Sequence, residues 1–97
     1  MNITIIHQAD DQAFYAFVDG KETDAEMAYS LPSPHVMDFT HTYVPEELRG
    51  KGVADELVKT GLNYARDNGY QIIASCPVVR HYVTQHHEYQ SLQQKSR

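Results

Sequence analysis

Residues 39–69, FTHTYVPEELRGKGVADELVKTGLNYARDNG, decide the fold, because they read as a strand, a glycine-bearing loop and a helix in immediate succession. The loop is Arg49-Gly50-Lys51-Gly52. A loop that opens a helix presents free backbone N–H groups at the positive end of the helix dipole, and such donors favour an anion, most often a phosphate. Gly50 and Gly52 let the backbone approach a ligand closely, and Arg49 and Lys51 add positive charge to a chain of net charge −5. The stretch therefore predicts an anion-binding loop.

The helix after the loop has the clearest periodicity in the chain. Its apolar residues recur at the spacing of one helical face, and they are Ala54, Leu57, Val58, Gly61, Leu62 and Ala65. Asn68-Gly69 is predicted to close it, since glycine is preferred just past a helix end. Residues 70–75 then predict a strand that is apolar on both faces, which indicates an interior and parallel position. A last helix is expected from Pro77 onward.

The buried stripe of that last helix is predicted to consist of Val79, Tyr82 and Val83, and the polar tail, residues 91–97, is predicted to fray.

The N-terminal part of the chain, up to the start of the quoted stretch, has short β-branched or alternating runs. These predict four strands, at residues 2–7, 13–18, 24–31 and 35–44. Asp19-Gly20 predicts a tight hairpin. Alternation in the fourth strand places Met37, Phe39, His41 and Tyr43 on one face.

This order of elements predicts an α+β fold in one domain, residues 1–97. Its sheet is mostly antiparallel and is followed by a terminal strand-helix-strand-helix unit, in which the two strands run parallel.

Composition excludes several classes of protein. Hydrophobic residues make up 41% of the chain and charged residues 22%, which is ordinary for a globular protein. A net charge of −5 argues against a nucleic-acid or membrane-surface binder. The single cysteine excludes an internal disulfide framework and suits a reducing compartment, and no apolar run is long enough to span a membrane. We therefore expect a cytoplasmic protein that forms a monomer or weak homodimer. His81, His86 and His87 do not have metal-ligand spacing, so no metal is expected.

The spacing Arg49-x-x-Gly52-x-Ala54 resembles the acetyl-CoA pyrophosphate loop of the GNAT superfamily of N-acetyltransferases, Gln/Arg-x-x-Gly-x-Gly/Ala. The wider sequence is similar to the small single-domain GNAT-like proteins. It shares with them His41-Thr42-Tyr43-Val44-Pro45, the run from Glu47 to Val53 (Glu-Leu-Arg-Gly-Lys-Gly-Val), and Cys76-Pro77. The likeness spans residues 36–92. It implies a trimmed GNAT-like fold, acetyl-CoA as cofactor and an amine as acetyl acceptor. No helices separate the first two strands, which departs from full-length GNAT enzymes, where such helices form much of the acceptor wall.

The resemblance also assigns residues to the cofactor. The loop residues that it implies for the pyrophosphate are Arg49, Gly50, Lys51, Gly52, Val53 and Ala54. The strand edge Thr42, Tyr43 and Val44 would run along the pantetheine arm.

Three residues are candidates for the chemistry. Cys76 lies at a junction of strand and helix, where the helix dipole favours a thiolate. It could form an acetyl-cysteine, line the acetyl pocket, or be a small buried hydrophobe. His41 could act as general base, position one, or be a hydrogen-bonded structural residue. Tyr82 could protonate the leaving thiolate, as a tyrosine does in many GNAT enzymes, or pack in the core.

The leading hypothesis is an acetyl-CoA-dependent N-acetyltransferase that acts on an unidentified amine. The alternative is a CoA-binding or protein-interaction module with the same fold and no turnover. A nucleotide-phosphate binder is a weaker hypothesis, because Arg-Gly-Lys-Gly lacks the Gly-x-x-x-x-Gly-Lys-Ser/Thr frame.

Overall fold

Five strands form one sheet in the computed structural model, which describes residues 1–94. The strands are β1 (Ile3–Gln8), β2 (Ala13–Val18), β3 (Lys21–Ser33), β4 (Val36–Tyr43) and β5 (Gln71–Ala74), and they lie side by side in that order. Neighbours from β1 to β4 are antiparallel, whereas β5 joins β4 in parallel. Helix α1 (Val53–Asp67) connects β4 to β5, and helix α2 (Pro77–Gln85) follows β5. The predicted α+β fold with a mostly antiparallel sheet is confirmed.

Short turns connect these elements. Asp19 and Gly20 both have positive φ, 52° and 81°, so they form the predicted two-residue hairpin between β2 and β3. Turns of 3-10 helix lie at Ala9–Asp11, Glu46–Leu48 and His87–Leu92. β3 is longer than expected at both ends, and it runs through the predicted break at Pro32. Leu31, near the end of β3, is 42% exposed, because β3 and β4 lose register between Ser30 and Ser33.

Helix α1 packs on one face of the sheet, which we call the inner face. The inner face is made by Phe14, Met27, Met37 and Phe39, all fully buried in one hydrophobic cluster with α1. The predicted stripe of α1 is confirmed from Leu57 to Ala65. At its start Val53 is buried and Ala54 is only half-buried, so the stripe begins one residue earlier than predicted. No helix within residues 1–94 has the length and apolar character that a membrane span needs.

Helix α2 joins the same cluster. It begins at Pro77 as predicted, and its buried residues are Val79, Tyr82 and Val83, as predicted. His7 connects β1 to this core by two contacts. Its Nε2 lies 2.7 Å from the hydroxyl of Tyr29, and its ring stacks on that of Phe14 with 4.2 Å between the centroids. Burial lowers the pKa of His7, which favours its neutral form.

The position of β5 differs from the prediction. β5 is parallel as expected, but it lies at the edge of the sheet and not in its interior. Its free side is partly covered by the segment after α2, since Gln94 N donates to Ile72 O at 2.8 Å and Gln93 forms a bridge to Ile72. Residues 91–94 are therefore docked and not frayed, because they satisfy backbone groups at an exposed edge. The rest of the predicted frayed tail, residues 95–97, lies outside the described residues.

A β-bulge at Thr40 corrects the predicted faces of β4. Tyr29 pairs with Phe39, whereas the residue before it in β3, Ala28, pairs with His41. Thr40 is therefore an extra residue of β4 without a partner in β3. An extra residue reverses the alternation of the strand that carries it. Thr42 therefore shares the inner face with Phe39, whereas His41 and Tyr43 lie on the opposite face, which we call the outer face. The prediction that Phe39, His41 and Tyr43 share one face is wrong beyond the bulge.

Candidate active site

Strands β4 and β5 part at the level of Cys76. Their pairing runs from Val36 with Gln71 to Phe39 with Ala74, and its last link is the bond from Cys76 N to Phe39 O, at 2.8 Å. Beyond that point β4 continues to Tyr43, while the chain after β5 turns into α2. Within residues 1–94, this end of β4 pairs with β3 alone, so its other edge has no strand partner. An extended ligand could hydrogen-bond to that free edge.

The glycine loop lies between this end of β4 and α1. Gly50 and Gly52 have φ of 77° and 86°, and a Cβ built at either would meet nothing within 4 Å. The first hydrogen bond of α1 runs from Glu56 N to Gly52 O at 3.1 Å, which leaves the earlier N–H groups of the helix without an intrahelical acceptor. A hydrogen bond connects the loop to the end of β4, because Arg49 Nε donates to the backbone oxygen of Val44 at 2.9 Å.

The loop borders a cavity of about 220 Å³, which is lined by Val44, Leu48, Arg49, Gly50, Gly52, Val53, Ala54 and Asp55. Open space beside glycine backbone, free N–H donors and an exposed arginine fit a phosphate-bearing group. Six of the nine residues predicted for the cofactor line this one cavity. The other three are Lys51, which is exposed in the loop, and Thr42 and Tyr43 at the end of β4.

Cys76 and Thr42 meet at the point where the strands part. Cys76 is 3% exposed and is the residue that precedes α2. Its thiol donates a hydrogen bond to Thr42 Oγ1, with Sγ and Oγ1 3.3 Å apart. The bulge at Thr40 makes this contact possible, since it turns Thr42 to the inner face. Sequence reasoning placed both residues at the site but had no signal for their contact.

Tyr82 borders a second part of the site, between the start of α1 and the surface of α2. It is 8% exposed and lines a cavity of about 380 Å³ together with Asp55, Val78, His81, Gln85 and His86. Burial is the main cause that raises the pKa of Tyr82, and the nearby Tyr89 and Asp55 add to it. A phenol with a raised pKa keeps its proton and can donate it.

His86 was not singled out for this site by sequence reasoning. Its ring stacks on that of Tyr82 at 3.8 Å between centroids, and its Nδ1 lies 2.9 Å from Tyr82 O. The spacing of four residues is the signal that could have found the pair. Within residues 1–94, no group of three or more His, Cys, Asp or Glu residues is arranged to hold a metal ion.

His41 is not brought together with Cys76. It is exposed on the outer face, paired with Ala28, so the thickness of β4 separates its side chain from the contact between Thr42 and Cys76. Tyr43 shares the outer face and is 43% exposed. The site thus has two sides: Thr42, Cys76 and the loop on one, and His41 with Tyr43 on the other.

Comparisons with known proteins identify the family to which this fold belongs. The family model for GCN5-related N-acetyl-transferases matches residues 13–92. Protein NATD1 of Mus musculus is 26% identical over 81 residues, which cover 84% of this chain and 74% of that protein. The family match therefore includes the sheet from β2 onward, the loop and both helices.

Solved structures show the same fold. The solution structure of a GCN5-like protein from Staphylococcus aureus superposes with a TM-score of 0.74 at 30% identity, and the match covers 99% of this chain and 92% of that one. An aminoglycoside N-acetyltransferase, AAC(6')-Iy, in complex with CoA superposes with a TM-score of 0.51 at 21% identity, covering 87% of this chain and 67% of that one. At that identity the second likeness concerns the fold alone.

Proposed function

The chain belongs to the GCN5-related N-acetyltransferase family, and we propose on that premise that it is a single-domain enzyme that binds acetyl-CoA and transfers the acetyl group to an amine. The observation that carries the proposal is the succession of two features at this end of β4. A loop with free N–H donors stands at one end, and the unpaired edge of β4 leads from it to Cys76.

Each of these two features would have a role in binding. The backbone N–H groups from Gly50 to Ala54 would hold the pyrophosphate, assisted by the positive charges of Arg49 and Lys51. The free edge from Thr42 to Val44 would donate and accept hydrogen bonds along the pantetheine arm. Acetyl-CoA supplies an activated thioester when it is bound. The AAC(6')-Iy structure, which contains CoA, supports this assignment through its fold.

The chemical roles divide between the two sides of β4. In the transfer, the amine nitrogen forms a bond to the acetyl carbon, the bond from that carbon to sulfur breaks, and the amine loses one proton. His41 on the outer face would accept that proton, and Tyr82 would give a proton to the departing sulfur. The products are an N-acetylated amine and CoA with a free thiol. Cys76 would line the acetyl pocket, because its thiol is buried and donates to Thr42.

Thermal unfolding tests the cofactor assignment directly. Acetyl-CoA and desulfo-CoA at about a hundred times their dissociation constants should each stabilise the protein by roughly 2.7 kcal/mol. For a chain of this size, that corresponds to a rise in Tm on the order of 10 °C or more. ADP should give a much smaller rise, since it lacks the pantetheine arm. If neither form of CoA raises Tm, residues 49–54 are an ordinary turn between strand and helix and not a cofactor site.

Replacing Cys76 distinguishes direct transfer from a covalent intermediate. If the thiol only lines the pocket, Cys76→Ala should still release free CoA from acetyl-CoA in the presence of an amine. Intact-protein mass spectrometry of the wild type with acetyl-CoA should show no acetyl group that hydroxylamine removes. A labile acetyl adduct on the wild type, absent from Cys76→Ala together with turnover, would identify Cys76 as the nucleophile instead.

A CoA-binding module without turnover is the second candidate. It is favoured by the exposure of His41, which forms no side-chain hydrogen bond with the described residues that would orient it as a base. The two functions separate in one assay. A rise in Tm with CoA but no release of thiol across a series of primary amines would support the module.

A further inference from the structure

The outer face of the sheet holds an open cavity of about 820 Å³. Its floor includes Tyr15, Glu26 and Tyr43, which stand next to one another across β2, β3 and β4 in the register of the sheet. The β2–β3 hairpin forms one wall, and residues 45–48, after β4, form another. No α-helix of the described chain contributes a lining residue.

The charge of this cavity has one sign. Four of its nine lining residues are carboxylates, namely Glu22, Asp24, Glu26 and Glu47, and none is Lys, Arg or His. Among residues 1–94 the ion pair that forms is between Arg66 and Asp67, on α1, so no salt bridge neutralises these four. An open hollow with uncompensated negative charge attracts cations.

The aromatic rings give independent evidence of what kind of cation fits. Tyr15 and Tyr43 flank Glu26 on neighbouring strands. The hydroxyl of Tyr15 donates to Asp11 Oδ2 at 3.0 Å, which fixes the position of that ring, and Tyr43 is 43% exposed at the rim. An alkylammonium group is attracted to the face of a tyrosine ring, and its methylene chain packs against the same surface. A small hydrated metal ion would gain neither contact.

The position of the cavity links it to the proposed reaction. Tyr43 lines it, and His41 lies two residues earlier on the same face, about 7 Å along the strand. An amine must be neutral to attack, yet a carboxylate beside an ammonium group favours the charged form. A site with four carboxylates therefore suits an acceptor that has a charged ammonium group in addition to the amine that reacts.

We propose that the outer-face cavity binds a small aliphatic polyamine, with its retained ammonium groups at Glu22 and Glu26 and its chain along Tyr15 and Tyr43. The role of this cavity as an acceptor site rests on the proposed function, but the binding of a polyamine does not require CoA.

Isothermal titration of spermidine, into the protein alone and into the protein with excess desulfo-CoA, tests the proposal. The variant Glu22→Gln/Glu26→Gln should weaken spermidine binding by on the order of tenfold, since it removes the ion pairs of an exposed and a half-buried carboxylate. The control is Asp67→Asn/Glu88→Gln, which makes the same change in net charge on exposed residues away from the cavity, and it should bind spermidine as the wild type does. n-Butylamine, which has a single amine, should bind at least tenfold more weakly than spermidine.

The proposal is overturned if the folded wild type does not bind spermidine, if both double variants lose the same affinity, or if butylamine or a lysine peptide binds as tightly as spermidine. These outcomes are separate from failure of the proposed function. Desulfo-CoA binding without spermidine binding would leave the acetyltransferase proposal in place. Spermidine binding without desulfo-CoA binding would contradict the assignment of the cofactor and leave the polyamine site in place.

Discussion

The variant Gly52→Glu is expected to abolish CoA binding, with a loss of affinity of at least a hundredfold, while the protein remains folded. Gly52 is the last residue before α1, and a Cβ built on it enters open space. A glutamate there would place its side chain and negative charge in the region proposed for the pyrophosphate, and like charges in contact cost several kcal/mol. Desulfo-CoA should then produce no rise in Tm.

Backbone strain at Gly52 needs its own control, because φ is 86° and non-glycine residues rarely adopt that conformation. Gly69→Glu introduces the same charge at a glycine with φ of 77° and open space around it, at the far end of α1. It should lose comparable stability and keep its affinity for CoA. If Gly52→Glu binds desulfo-CoA as tightly as Gly69→Glu does, the loop is not the phosphate site.

The largest expected effect on stability is that of Gly61→Leu, which should destabilise the fold by about 3 kcal/mol or more. Gly61 lies in the buried stripe of α1, where a Cβ would collide with the end of the Met27 side chain and lie 3.0 Å from Phe39 Cε1. The helix is therefore packed against the sheet as closely as a glycine allows. For a chain of this size, such a loss lowers Tm by more than about 10 °C.

Two variants show whether packing is the cause. Lys59→Leu adds the same side chain to an exposed position of α1, and it should change stability by less than about 0.5 kcal/mol. Met27→Ala should cost less in the Gly61→Leu background than in the wild type, because it makes room for the added leucine. Equal losses in both backgrounds would mean that Gly61→Leu acts through something other than its contact with Met27.

Local sequence was sufficient to predict the elements that depend on neighbouring residues alone. The stripe from Leu57 to Ala65 identified α1 and its buried side, and Asp19-Gly20 identified the hairpin. Pro77 marked the start of α2 and the spacing of Val79, Tyr82 and Val83 marked its buried face. The glycine loop was also readable, since positive φ and free N–H groups follow from glycines placed before a helix.

Features that depend on a partner far along the chain were not readable. Alternation in β4 predicted one face for Phe39, His41 and Tyr43, but a bulge arises only when β4 is aligned with β3. The apolar character of residues 70–75 predicted an interior strand, whereas β5 is an edge that the segment around Gln94 partly covers. The outer cavity likewise depends on carboxylates from two separate parts of the chain, residues 22–26 and Glu47.

The sequence by itself thus determined the order of the elements, the glycine loop before α1 and the candidate residues for chemistry. The tertiary structure decided which of those residues meet: Cys76 with Thr42 on one side of β4, and His41 with Tyr43 on the other. The physical reason is that periodicity and turn chemistry act over a few neighbouring residues, whereas register places side chains on a face through hydrogen bonds between strands, and one extra residue reverses the face.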